Sequence, residues 1–215
     1  MKNHIDNIAN TENVLDLPSD KDFCFDAQNV NGKRVEYKTL FGNENIVFIK
    51  AGAEGNIRSR NNKYLKMARR VNKWLGATVI CASNPDVLHE EVDEAKIKRV
   101  IAEKGFTSFK LSFIGTSDGA YHNLSLAKRF PETVKWLGIN TSYINVPALK
   151  ERLLSLHDIY KILIYGTNDD DFNEVVPAVS SLANDNLVLK TVDNADHSFT
   201  GMIDEFIALA DCLCK

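Results

Sequence analysis

Two rhythms of apolar and polar residues divide the chain. Short, nearly unbroken apolar runs read as strands at 45–51, 77–82, around Leu111, Phe113 and Ile114, and at 134–140, 161–166 and 187–192. Between them, apolar residues recur at helical spacing. In 59–74 the stripe is Tyr64, Met67, Ala68, Val71 and Trp74, continued by Leu75, and Gly76 ends the helix. A second helix is expected from Asp86 toward Glu103, capped by Asn84-Pro85 and closed by Gly105. A third carries Ala120, Leu124 and Ala127. Residues 147–156 and 172–182 predict two more, the latter interrupted by Pro177. Phe199, Met202, Ile203, Phe206, Ile207 and Ala210 predict a closing amphipathic helix.

Before this alternation, runs at 23–26 and 34–38 flank Asn31-Gly32, a strong hairpin signal. Strand–helix alternation from the third strand onward implies a parallel sheet covered by helices on both faces. The expectation is an α/β fold: a mostly parallel eight-stranded sheet with an antiparallel N-terminal hairpin. Residues 1–20 are polar and read as a lead-in segment, and 21–215 as a single domain.

Composition narrows the possible functions. The 215 residues are 44% hydrophobic and 26% charged, the balance of a chain with a substantial core. A net charge of −3 argues against nucleic acid or a membrane surface as partner. No apolar run approaches a membrane span, and residues 1–10 lack the apolar centre of a signal peptide. Cys24, Cys81, Cys212 and Cys214 have no zinc-site spacing. They read as free thiols in a reducing cytoplasm, Cys24 and Cys81 as packed strand residues. No metal or cofactor is expected, and the sequence leaves the oligomeric state open.

Candidate chemistry centres on Gly115-Thr116-Ser117-Asp118-Gly119, a G-x-S-x-G sequence between a strand and a helix. The turn strains its middle residue, and Gly115 and Gly119 leave room beside it. Ser117 is thereby raised at the strand tip, near helix-start N–H groups able to hold an oxyanion. Two later strands end in Asp169-Asp170-Asp171 and in Asp196-His197. All three groups follow the C-terminal ends of parallel strands, the edge where α/β sites are built.

Together these motifs make the chain resemble the α/β-hydrolase fold family, from about Phe23 to the end. The likeness rests on the serine turn, on Tyr165-Gly166-Thr167-Asn168-Asp169, which is similar to the family's Gly-Thr-x-Asp strand end, and on Asp196-His197-Ser198-Phe199, which is similar to its Asp-His-x-Phe loop. The resemblance implies Ser117 as nucleophile, His197 as general base and Asp169 as the acid behind it, with Asp170 and Asp171 as alternatives. It implies an ester or thioester of a small acyl substrate, cleaved through an acyl-enzyme. A catalytically silent scaffold that binds a ligand or partner, and an acyltransferase or peptidase using the same residues, are the alternatives.

The resemblance also implies two oxyanion donors, the amides of Asp118 and Ala53. The loop 50–55, Lys-Ala-Gly-Ala-Glu-Gly, departs from the family's usual His-Gly. Glu54 and Arg58 become candidate substrate contacts. The basic run Arg58, Arg60, Lys63, Lys66, Arg69, Arg70 and Lys73 reads otherwise as a solvated helix face. His89, His122 and His157 read as structural or exposed, and Trp74 and Trp136 as packing residues. Fewer than twenty residues separate Ser142 from Lys161, so no large lid is expected and the site should be open.

Overall fold

The computed structural model describes residues 20–85, 90–142 and 145–214. Eight strands form one sheet: β1 (Cys24–Val30), β2 (Lys33–Leu40), β3 (Asn43–Lys50), β4 (Ala77–Ala82), β5 (Lys110–Thr116), β6 (Thr133–Ile139), β7 (Tyr160–Gly166) and β8 (Leu187–Val192). Their spatial order is β1-β2-β4-β3-β5-β6-β7-β8. β1 and β2 pair antiparallel across a turn in which Asn31 and Gly32 both have positive φ, the geometry that suits hairpin twist. β2 also runs antiparallel to β4, and every pairing from β4 to β8 is parallel.

The helices are α1 (Lys63–Leu75), α2 (Glu90–Lys104), α3 (Asp118–Ala127), α4 (Val146–Leu154), α5 (Phe172–Ser180) and α6 (Ile203–Ala208). Alternate residues of the buried strands feed two cores. Val47, Ile49, Val79 and Ile114 pack with α1 and α6, through Met67, Val71 and Phe206. Ile46, Phe48, Phe113 and Trp136 pack with α2 to α5, through Val100, Leu124, Leu149 and Val175. Helices therefore cover both faces, and among the described residues the connection from Ile139 to Tyr160 carries the short α4 alone.

Some local expectations are corrected. Trp74 is 52% exposed, beneath the Arg70 guanidinium one turn earlier on α1. Cys24 is exposed because β1 is the outermost strand. The closing helix does not begin at Phe199, whose φ is 57°. With Gly201 also at positive φ, the chain turns there, and α6 spans six residues before tightening into a 3-10 segment, Leu209–Cys214. Phe199 is nevertheless fully buried against Phe206. The expected start of the second helix at Asp86 lies outside the described residues.

Polar residues also enter the core. Asp93 of α2 accepts from the Tyr37 hydroxyl at 2.7 Å, lies 2.7 Å from Lys50 Nζ and is 2.8 Å from His122 Nε2. All four residues are essentially inaccessible. This group joins β2, the end of β3, α2 and α3 beneath the turn that bears Ser117.

Candidate active site

Ser117 sits between β5 and α3 with φ 52° and ψ −129°. A positive-φ serine costs about 1–3 kcal/mol and persists only where its surroundings impose it. Here Ser117 N donates to Ile139 O, and its carbonyl accepts from the Ala120 and Tyr121 amides. The flanking glycines are required by contact. A Cβ on Gly115 would lie 2.3 Å from Ala120 Cα, and one on Gly119 would lie 2.1 Å from Ala51 O. α3 thus starts pressed against the end of β3, and no other residue fits at either position.

Three sequence-predicted side chains come together at the C-terminal edge of the sheet. His197 Nε2 lies 3.0 Å from Ser117 Oγ, and His197 Nδ1 lies 2.6 Å from Asp169 Oδ2. Asp169 Oδ1 accepts from the Asp171 amide at 2.9 Å. The Asp169 side chain is fully buried, whereas that of His197 is 45% exposed. The hydrogen bond to Asp169 raises the His197 pKa, against the opposing effect of burial. Asp170 is exposed. Burial and then the neighbouring Asp169 charge raise the Asp171 pKa.

The histidine loop is tied to neighbouring strand ends. Asn140, buried and just past β6, donates through Nδ2 to the carbonyls of Asp196 and His197 and accepts from the Gly166 amide through Oδ1. Lys63, read from sequence as part of a solvated face, is instead buried and donates to Ser198 O at 3.1 Å. Its ammonium also lies 4.3 Å from the centroid of the Phe206 ring. Elsewhere in that basic run Arg70 makes a two-pronged contact with Asp211. The Tyr64 hydroxyl, 2.7 Å from Thr116 Oγ1, fixes α1 to the end of β5.

Opposite the histidine, the loop after β3 closes a turn from Gly52 O to Gly55 N at 2.9 Å, with Glu54 at φ 54°. Ala53, Glu54 and Arg58 are exposed. Gly52 runs close to the serine, since a Cβ there would be 3.1 Å from Ser117 Cβ. Asp118 is the first residue of α3, whose initial amides have no intrahelical acceptor. Among the described residues, neither the Asp118 nor the Ala53 amide donates a hydrogen bond. The Arg58 and Ser59 amides both bond Asn56 Oδ1, which shapes the chain leading into α1.

Sequence reasoning passed over Asn140, Lys63 and Ser142. Ser142 Oγ lies 2.8 Å from Ser117 Oγ. Nothing in Asn140-Thr141-Ser142 marks a site, because loops after strands are commonly polar. His122 proves structural, as expected, through its contact with Asp93. Among the described residues no three His, Cys, Asp or Glu side chains gather as metal ligands, and no helix is long and apolar enough to cross a membrane.

No protein-family model matches the chain, and no curated protein matches it in sequence. Solved structures do match in shape. A protein of unknown function from Agrobacterium tumefaciens, provisionally assigned to the α/β hydrolases, superposes with a TM-score of 0.70 at 18% identity, over 89% of this chain and 95% of that one. The esterase domain of a Rhodothermus marinus protein matches with a TM-score of 0.66 at 14% identity, over 89% and 95%. An α/β serine hydrolase homologue from Coxiella burnetii matches with a TM-score of 0.63 at 16% identity, over 89% and 97%. The strand order described above and these superpositions together show that the chain has the α/β-hydrolase fold.

Proposed function

We propose that the protein is a serine hydrolase that cleaves a small ester or thioester through an acyl-enzyme. The observation that carries this reading is the unbroken path from Ser117 Oγ through His197 to buried Asp169. Asp169 holds Nδ1–H, which leaves Nε2 free to take the serine proton as Oγ attacks the carbonyl carbon. The carboxylate then stabilises the imidazolium, which returns the proton to the leaving group. Water, activated by the same histidine, releases the acid. The Asp118 and Ala53 amides hold the oxyanion.

The connection between β6 and β7 is too short to carry a large lid, which suits a small or exposed acyl group. Glu54 and Arg58, on the chain after β3, are the proposed contacts for polar parts of the substrate. A second reading, a silent scaffold, draws on one specific feature: the turn carrying Ala53 also carries the acidic Glu54, and negative charge near an oxyanion opposes catalysis.

A fluorophosphonate probe separates the two. Oγ–P forms, P–F breaks, fluoride leaves and His197 takes the proton. Labelling of the wild type and not of Ser117→Ala is the expected result. A folded wild type that stays unlabelled would favour the scaffold.

A further inference from the structure

The proton inventory around Ser117 reaches beyond the three residues above. Both oxygens of the Asp169 carboxylate are engaged as acceptors, one by the Asp171 amide and one by His197 Nδ1, so neutral His197 carries its proton on Nδ1 and accepts at Nε2. Ser117 then spends its single proton on Nε2. Its 2.8 Å contact with Ser142 Oγ is satisfied only if Ser142 is the donor. The order is fixed: Ser142 O–H to Ser117 Oγ, Ser117 O–H to His197, His197 N–H to Asp169. Hydrogen bonds aligned in one direction reinforce one another.

Ser142 is also held in place. Asn140 is tied to Gly166, Asp196 and His197, and Thr141 O accepts from the buried Tyr165 hydroxyl at 2.5 Å. The hydroxyl therefore hangs from an anchored stretch. It comes from the β6 side of β5, whereas the loop bearing Ala53 comes from the β3 side. It is half-buried.

We propose that Ser142 is a further catalytic residue, whose hydroxyl donates to Ser117 Oγ and fixes the nucleophile in the rotamer that points its proton at His197. This rests on Ser117 being the nucleophile. The second hydrogen bond removes a rotational freedom that Ser117 would otherwise lose during reaction. When Oγ becomes bonded to the acyl carbon its lone pairs weaken as acceptors, and the Ser142 hydroxyl is released toward the substrate.

The test is fluorophosphonate labelling resolved into its maximal rate and its half-saturating concentration, for wild type, Ser142→Ala and Ser142→Thr. Ser142→Ala should lower the maximal rate roughly tenfold, with half-saturation and thermal midpoint unchanged. Ser142→Thr, which keeps the hydroxyl, should recover most of the rate. A role confined to the shape of the cleft would move half-saturation instead and would overturn the inference. So would Ser142→Ala reacting at the wild-type rate while wild type labels normally. A folded wild type that does not label at all would remove the nucleophile, and this inference with it.

Discussion

His197 is nearly half exposed, while the carboxylate behind it is shut away from water. That asymmetry sets its titration. The hydrogen bond to Asp169 favours the imidazolium and lifts its pKa above the ordinary histidine value of about 6.5. The proposed general-base action requires the neutral ring, so the acid limb of the rate profile should lie above that value. In Asp169→Asn the limb should shift to lower pH as the rate falls. Labelling rates measured across pH check both, and a wild-type limb below the ordinary value would contradict the assignment. Stability runs the other way. A raised folded pKa contributes stability that is fully present below the unfolded value and is lost as pH rises through the folded one. The pH range in which the histidine is ready to act is thus the range in which its ion pair with Asp169 contributes least to folding.

At the scale of elements, the polar group under the serine turn is the feature to probe. Burial opposes a charged Asp93, but the Lys50 charge and the hydrogen bonds from His122 and Lys50 outweigh it and lower its pKa. The same burial, with Asp93 alongside, raises the pKa of Tyr37 and keeps its hydroxyl protonated. Asp93→Asn leaves Lys50 as a buried charge without its counter-ion. Removing one partner of such a pair costs about 3–5 kcal/mol. Urea denaturation should register a loss of that order, and a loss below about 1 kcal/mol would mean that the Lys50 ammonium has another partner or reaches water. The sign with pH follows from the depressed carboxyl: this stabilisation is present above the ordinary aspartate range and disappears as pH falls through the lower folded value. Since Lys50 leads into the Ala53 loop and His122 sits one turn into α3, the group fixes the two proposed oxyanion donors relative to each other.

Over the whole molecule, the end of the chain reaches back to the site. Phe206 of α6 packs edge-on against Tyr64 at 5.9 Å and Phe199 at 5.5 Å, beneath the Lys63 ammonium. It thereby joins α1, the histidine loop and the C-terminal segment. Phe206→Ala should cost about 3–5 kcal/mol, the range for truncating a buried aromatic residue. It should also slow labelling of Ser117 in the fraction that remains folded, because Phe199 lies two residues beyond His197. Calorimetry and labelling below the melting range measure the two effects separately. Loss of stability with no change in labelling would show that the histidine loop is held by Asn140 and Lys63 alone.

Local patterning carried much of this. The buried runs, the Asn31-Gly32 hairpin and the alternation of strands and helices determined the sheet and its two covered faces, because burial on both sides demands continuous apolar strands. Gly115 and Gly119 were legible too, since a turn that lets α3 touch Ala51 admits no side chain at either position, and they marked Ser117 between them. Asp169 and His197 could be named from strand-end motifs, but their meeting with Ser117 is a matter of distances across 80 residues of chain. Polar contacts between remote segments have no periodicity to announce them. The contacts of Asn140, Lys63 and Ser142, and the burial of Asp93 with Lys50, were therefore decided by the tertiary structure alone, where one end of the sheet gathers side chains that nothing along the chain relates.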